Sequence, residues 1–323
     1  MMSDEFVRNK ISARKPQAPS RSKEENKNKY YNMDNPRRGV AAIFNHASFD
    51  NSLINHRLGS DKDIESLRRT FGNLGFNLQF FIDLTFSEIT LALSSISQMD
   101  HSKCDCFLLV FMSHGLEGKV RAKDVVFDVN HLWSYFTPER APSLANKPKI
   151  FVIQACQGHG RMSGVKVADE GSEQTTLIPS YVLPSSPDFL LALSTIPGYV
   201  SWRSPTAGSW YIQTLCAYLD RKGTEQDLLT LLTHVGRRVA IDYSAIDIRD
   251  NGVGGVVKKQ IPSIISFLVK KVQFTRKGPK NICGNKRRID HEDRSDDSET
   301  AFEGKKIKLD NDGEKNADTL NKN

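Results

Sequence analysis

An α/β fold is predicted: a mostly parallel central sheet of about six strands, covered by helices on both faces. Three observations predict it. The apolar runs Val40–Phe44, Phe107–Met112, Ile150–Ile153 and Phe189–Leu193 are short and unbroken, as in strands buried on both sides. Stretches between them repeat apolar residues at spacings of three and four, the period of one helix face. The two patterns alternate along the chain, the order of parallel βαβ units.

The elements follow in order. Val40–Phe44 reads as a buried strand. Ser60–Gly75 reads as a helix with Ile64, Leu67, Phe71 and Leu74 on one side, and Phe76–Ile82 as the next strand. Thr85-Phe86-Ser87-Glu88 has capping-box spacing, in which the Thr and Glu side chains satisfy two orphan backbone N–H groups reciprocally. Ile89, Leu93 and Ile96 then share a face. Ser209 can cap a helix carrying Trp210, Leu215 and Leu219. Thr224-Glu225-Gln226-Asp227 opens another with Leu228, Leu232, Val235 and Val239. Ile261–Val269 reads as the last strand; Pro262 cannot donate to a ladder, so it marks an edge or a strand start.

A length of 323 residues suits one medium domain, or two small ones, with disordered ends. No apolar run approaches the roughly 20 residues of a membrane helix, and MMSDEFVRNK lacks a secretory core, so no membrane partner is expected. Five cysteines in no regular framework point to a reducing compartment. Cys104 and Cys106 are read as structural thiols, and neither a metal nor a cofactor is expected. The net charge of +7 would suit nucleic acid, but its location argues against that. Residues 1–30 hold 8 Lys and Arg against 4 acids and residues 275–323 hold 12 against 11, so the middle carries only +2. Residues 1–30 and 275–323, poor in apolar groups, are expected to be disordered. The long polar segment between Cys156 and Asp188 needs a functional reason inside a compact domain.

Two strand ends carry reactive groups. Phe107–Met112 runs into Ser113-His114-Gly115, and the 150–155 strand into Gln154-Ala155-Cys156-Gln157-Gly158. Parallel α/β sheets bind ligands beyond the carboxyl ends of their strands. His114 and Cys156 then share one edge, the pairing a thiol nucleophile requires. Gly115 leaves its backbone bare, so its N–H can meet a developing oxyanion. An isolated Cys is by default a packed core thiol; the neighbouring His is the argument against that reading of Cys156.

His114-Gly115, followed by Gln154-Ala155-Cys156-Gln157-Gly158, resembles the caspases, cysteine proteases that cut after aspartate. The resemblance runs over about 39–274, through RRGVAAIFN, DHSKCDCFLLVFMSHG, KPKIFVIQACQG, PGYVSWR, GSWYIQTLC and KKQIPSI. The short N-terminal extension is similar to effector caspases, and the Gln157 form of the motif to insect members. The resemblance implies a three-layer sandwich. It implies Cys156 as nucleophile, His114 as acid/base partner, and the N–H groups of Gly115 and Cys156 as oxyanion hole. It implies Arg57, Gln154, Ser201 and Arg203 around the substrate aspartate. Val200 and Trp202 would line the pocket for the residue upstream, with Trp210 and Ser204 at a more distant subsite. Ser204-Pro205 stands where effector caspases often have Asn, and Val200 replaces a commoner aromatic, which would widen its pocket.

The resemblance also implies a zymogen acting in apoptosis. Its parts would be a prodomain (1–30), a large-subunit region (31–169), an activation linker (157–187), a small-subunit region (170–274) and a charged tail. Asp169 is the only Asp from 157 to 187, so cleavage is expected after it; Asp4 is a weaker trimming site. Expected partners are Asp-containing protein substrates, a second large/small pair as a dimer, an upstream initiator caspase and inhibitor-of-apoptosis proteins. The expected location is the cytoplasm, with Lys286-Arg287-Arg288 and Lys305-Lys306-Ile307-Lys308 resembling a bipartite nuclear signal. The alternative is a catalytically silent homologue serving as decoy or regulator; such a chain would lose the Cys, the His or a pocket arginine, and none is missing. Papain-like enzymes are excluded by chain order, since their Cys precedes the His.

Overall fold

The structure is a computed structural model that describes residues 29–162, 187–247 and 256–277. β1 (Val40–Asn45) leads to α1 (Ser60–Asn73), β2 (Asn77–Ile82), α2 (Phe86–Ser97) and β3 (Phe107–Met112). A small antiparallel sheet follows: β4 (Gly115–Leu116), β5 (Lys119–Arg121) and β6 (Val126–Asp128). Then come β7 (Lys149–Gln154), β8 (Phe189–Leu193), the hairpin of β9 (Arg203–Ser204) with β10 (Gly208–Ser209), α3 (Trp210–Lys222) and α4 (Leu228–Asp242). The hairpin of β11 (Ala245–Asp247) with β12 (Val256–Lys258) and the strand β13 (Ser263–Ser266) complete it.

The central sheet has six strands in the order β13-β8-β7-β3-β1-β2. All neighbours run parallel except β13, which pairs antiparallel with β8 at the edge. β1, β3, β7 and β8 are buried along their full length, which is why they read as unbroken apolar runs. Alternate side chains feed two cores. Leu108 and Val110 of β3 join Leu67 and Phe71 of α1, Leu215 of α3 and Leu232 of α4. Phe107 and Phe111 join Ile89, Leu93 and Ile96 of α2, with Phe151 and Phe189. Each fully buried Phe or Leu contributes roughly 2 kcal/mol. The molecule is therefore the three-layer sandwich expected.

Local signals place the helices. Thr85 accepts the Glu88 N–H at 3.4 Å while Glu88 accepts the Thr85 N–H at 2.8 Å, a complete capping box. Ser209 caps α3 by accepting from Ile212 N, and Asp227 caps α4 by accepting from Thr230 N. The last strand is shorter than Ile261–Val269. Phe267 still donates to Phe189 O at 2.8 Å and accepts from Asp188 N at 2.9 Å; beyond it the chain turns away, the Val269 N–H donating to the Tyr31 hydroxyl at 3.1 Å and Lys271 bridging to Tyr30. Past residue 274, Thr275 donates to Met33 O, and Lys277 and Arg38 both pair with the buried Asp105 at 2.7 and 2.8 Å. Asp4, Asp169 and the two basic clusters lie outside the described residues.

His46, just past β1, is fully buried against Phe111, its Nε2 3.1 Å from Leu84 O. Burial pushes its pKa down to about 4, against the pull of the Leu84 carbonyl and Asp83. The unfolded chain therefore takes up a proton near the ordinary histidine value of 6.5 that the folded chain refuses until about 4. Stability from this site is complete above pH 6.5 and falls as pH drops towards 4. At about 1.4 kcal/mol per pKa unit the loss is about 3 kcal/mol. Urea unfolding between pH 7 and 4.5 should show this decline, and His46→Phe should flatten it; an unchanged slope in the variant would contradict the assignment.

Candidate active site

The carboxyl ends of β3 and β7 lie side by side, Met112 in register with Gln154. His114 and Cys156 consequently open onto one cleft, lined also by Ser113, Gln154, Ala155, Ser201, Trp202 and Arg203. Gly115 is what allows the approach. A Cβ there would stand 2.5 Å from Cys156 O and 2.9 Å from the Ala155 side chain. The Cys156 thiol is half-buried, its Sγ 3.4 Å from the Ser201 N–H.

The imidazole of His114 is oriented by two neighbours. Its Nε2 lies 2.8 Å from Asn55 O, and its ring packs on Phe49 with centroids 5.1 Å apart. A carbonyl only accepts, so Nε2 carries the proton and Nδ1 keeps its lone pair. Burial lowers the His114 pKa; the Asn55 carbonyl opposes this, while the charges of Arg57 and Arg203 add to it.

Arg57 is 1% exposed. Its backbone N–H donates to Ala47 O at 3.0 Å, and its Nη1 donates to Asn45 Oδ1 at 3.2 Å and His46 O at 2.8 Å, so the end of β1 holds it. Its Nε and Nη2 are buried without a hydrogen-bond partner among the described residues. It lines a neighbouring cleft with His56, Gly59 and Ile64 rather than the one around Cys156. Burial, then repulsion from Arg203, lowers its pKa to about 9, so it stays cationic at neutral pH. Arg203, half-buried, is anchored by Nε donating to Leu58 O at 2.8 Å. Gln154 donates through Nε2 to Ser201 Oγ at 2.8 Å, leaving its Oε1 buried and unpartnered among the described residues.

Trp202 stacks on Trp210, centroids 5.9 Å apart, and Trp210 stacks on Tyr243 at 5.2 Å. Val200 is half-buried beside them in sequence, its N–H donating to Gly160 O. The Ser204 hydroxyl is engaged within its own hairpin, accepting from Thr206 N and Ala207 N at 3.3 and 3.2 Å. Sequence reasoning missed Asn55, Tyr243 and Gln260. Gln260 is fully buried and ties the Trp202 segment down, accepting the Trp202 N–H at 2.7 Å and donating to Ser194 O at 2.7 Å.

Residues 38–273 match the family model described as the caspase domain. The chain belongs to the caspase family. Among curated proteins this caspase is 41% identical over 251 residues to "Caspase-1" of Spodoptera frugiperda, covering 77% of this chain and 82% of the relative. It is 39% identical to "Caspase drICE" of Drosophila melanogaster, covering 76% and 73%, and 39% identical to "Caspase-3" of Felis catus, covering 76% and 86%. The crystal structure of Caspase-1 from Spodoptera frugiperda aligns with a TM-score of 0.69, covering 77% of this chain and 96% of that one. As a caspase, the chain is an aspartate-specific cysteine endopeptidase, and its similarity is to effector-type members.

Proposed function

We propose that Cys156 is the nucleophile, that His114 is its acid/base partner, and that Arg57, Arg203 and Gln154 receive the substrate aspartate. The observation that carries the reading is a fully buried Arg57 guanidinium whose Nε and Nη2 have no hydrogen-bond partner among the described residues, with the half-buried Arg203 lining the cleft of Cys156 and His114. Buried donors left unpaired are costly unless a ligand takes them. A substrate carboxylate is short, anionic and rich in acceptors, and it answers both the charge and the donors. Turning the Gln154 amide by half a turn lets Ser201 donate to Oε1 and frees Nε2 for the same carboxylate.

His114 Nδ1 takes the thiol proton, and Sγ attacks the carbonyl carbon of the aspartyl bond. The N–H groups of Gly115 and Cys156 receive the oxyanion. The imidazolium then protonates the leaving amine, giving a thioester. Water, deprotonated by Nδ1, hydrolyses it and restores the thiol. Trp202, Trp210 and Val200 line the upstream subsites. The chain acts as an effector caspase in apoptosis, made as a zymogen and cut after Asp169, with an initiator caspase upstream and inhibitor-of-apoptosis proteins as regulators. It works as a dimer of large/small pairs in the cytoplasm, with access to the nucleus.

Peptides differing only in Asp, Asn or Lys before the scissile bond test the pocket. Asp should be preferred over Asn by at least about 10³-fold, because Asn removes the charge that offsets the two cations. Equal cleavage of Asp and Asn peptides would refute it. N-terminal sequencing of the small fragment tests the site of cleavage: it should begin at Glu170.

A further inference from the structure

Asp63 stands in the first turn of α1, six residues after Arg57, and it is fully buried whereas Asp61 is exposed. An acid placed only to complement a helix N-terminus gains nothing from burial. Its Oδ1 instead accepts two long-range donors: the Ser209 N–H at 2.9 Å and Gln213 Nε2 at 2.8 Å. Ser209 lies six residues after Arg203. One carboxylate oxygen thus joins the helix that follows one pocket arginine to the hairpin that carries the other.

The surrounding contacts leave this junction little play. Gly208 has φ +87°, and a Cβ there would stand 2.5 Å from Asp63 Oδ1. A Cβ on Gly59 would meet Ser204 O. Arg203 Nε reaches back to Leu58 O at 2.8 Å. The Gln213 amide is itself fixed, its Oε1 accepting from Ser66 Oγ at 2.9 Å and its Nε2 also donating to Lys62 O at 3.2 Å. Asp63 is the foremost attractive charge acting on both guanidinium groups.

We infer that Asp63 is a positioning residue for substrate recognition: its buried carboxylate seats the β9–β10 hairpin on α1 and so fixes where Arg203 meets the substrate aspartate. This rests on the pocket assignment above. Cys156 and His114 hang from β7 and β3 and take no hydrogen bond from Asp63, so the seat governs recognition rather than bond breaking.

The test uses the processed full-length enzyme, with active sites counted by a thiol alkylating agent. Asp63→Ala strands both donors; it should raise KM for an Asp peptide about tenfold or more, with kcat per titrated site within about threefold of wild type. Asp63→Asn keeps an oxygen acceptor for both donors and should bring KM back to within about threefold. Gln213→Ala removes one donor and should raise KM about threefold, which decides the matter if Asp63→Ala does not fold. Fewer titratable sites with an unchanged KM, or an Asp63→Asn KM as high as that of Asp63→Ala, would overturn the inference. An unchanged KM in Gln213→Ala would do the same. Wild-type enzyme indifferent to Asp against Asn would instead remove the pocket assignment, and that is read before any variant is made.

Discussion

Cys156→Ala is expected to lower turnover of an Asp peptide by about 10⁴-fold or more while the fold survives. The argument is geometric. The thiol is half-buried, and its polar neighbours are the backbone N–H and carbonyl of Ser201. Truncation to Ala opens no large cavity, so the loss of stability should stay within about 1 kcal/mol. Catalysis, in contrast, loses the atom that forms the acyl bond, and neither His114 nor water at the same edge supplies an equal nucleophile. Single-turnover kinetics beside a thermal melt separates the two effects. Residual activity within tenfold of wild type, at an unchanged melting temperature, would show that another group attacks.

Arg57→Lys should cost about 10²–10⁴-fold in kcat/KM for an Asp peptide, from two charge-assisted hydrogen bonds worth about 1.5–3 kcal/mol each. Lysine keeps the charge but presents a compact ammonium in place of the planar fork. It can follow one of the Nη1 contacts to Asn45 or His46, and cannot hold those and a substrate carboxylate together. Cleavage of an Asn peptide, already poor, should change little, so the Asp-over-Asn ratio collapses. A ratio that stays at the wild-type value would remove Arg57 from the pocket.

Much of this was legible in the chain. Thr85 and Glu88 announce the start of α2 because both halves of a capping box lie within four residues. Pro262 was read as an edge or a strand start, and it immediately precedes the edge strand Ser263–Ser266, where its missing N–H costs no ladder bond. The His114 and Cys156 pairing follows from two apolar runs ending in reactive groups, given only that the runs are parallel neighbours. The unread part is long-range and polar. Asp63 meets Ser209 across 146 positions, and Trp202 meets Gln260 across 58. Neither pairing repeats with a helix or strand period, so no local pattern carries it. Ser204, assigned to a distant subsite through resemblance, spends its hydroxyl on turn closure. The last strand was drawn too long because apolar character continues to Val269, while the backbone leaves to meet Tyr31.

β7 precedes residues 163–186 and β8 follows them, yet the two are ladder neighbours from Lys149–Phe189 to Ile153–Leu193. Met162 and Gln157 are further stitched to Lys259 and Tyr199. A nick within residues 163–186 is therefore expected to sever the covalent thread while this weave holds. The two pieces should co-elute from a sizing column under native conditions and part only in denaturant, so a gel with detergent, rather than a change in native size, is where scission becomes visible.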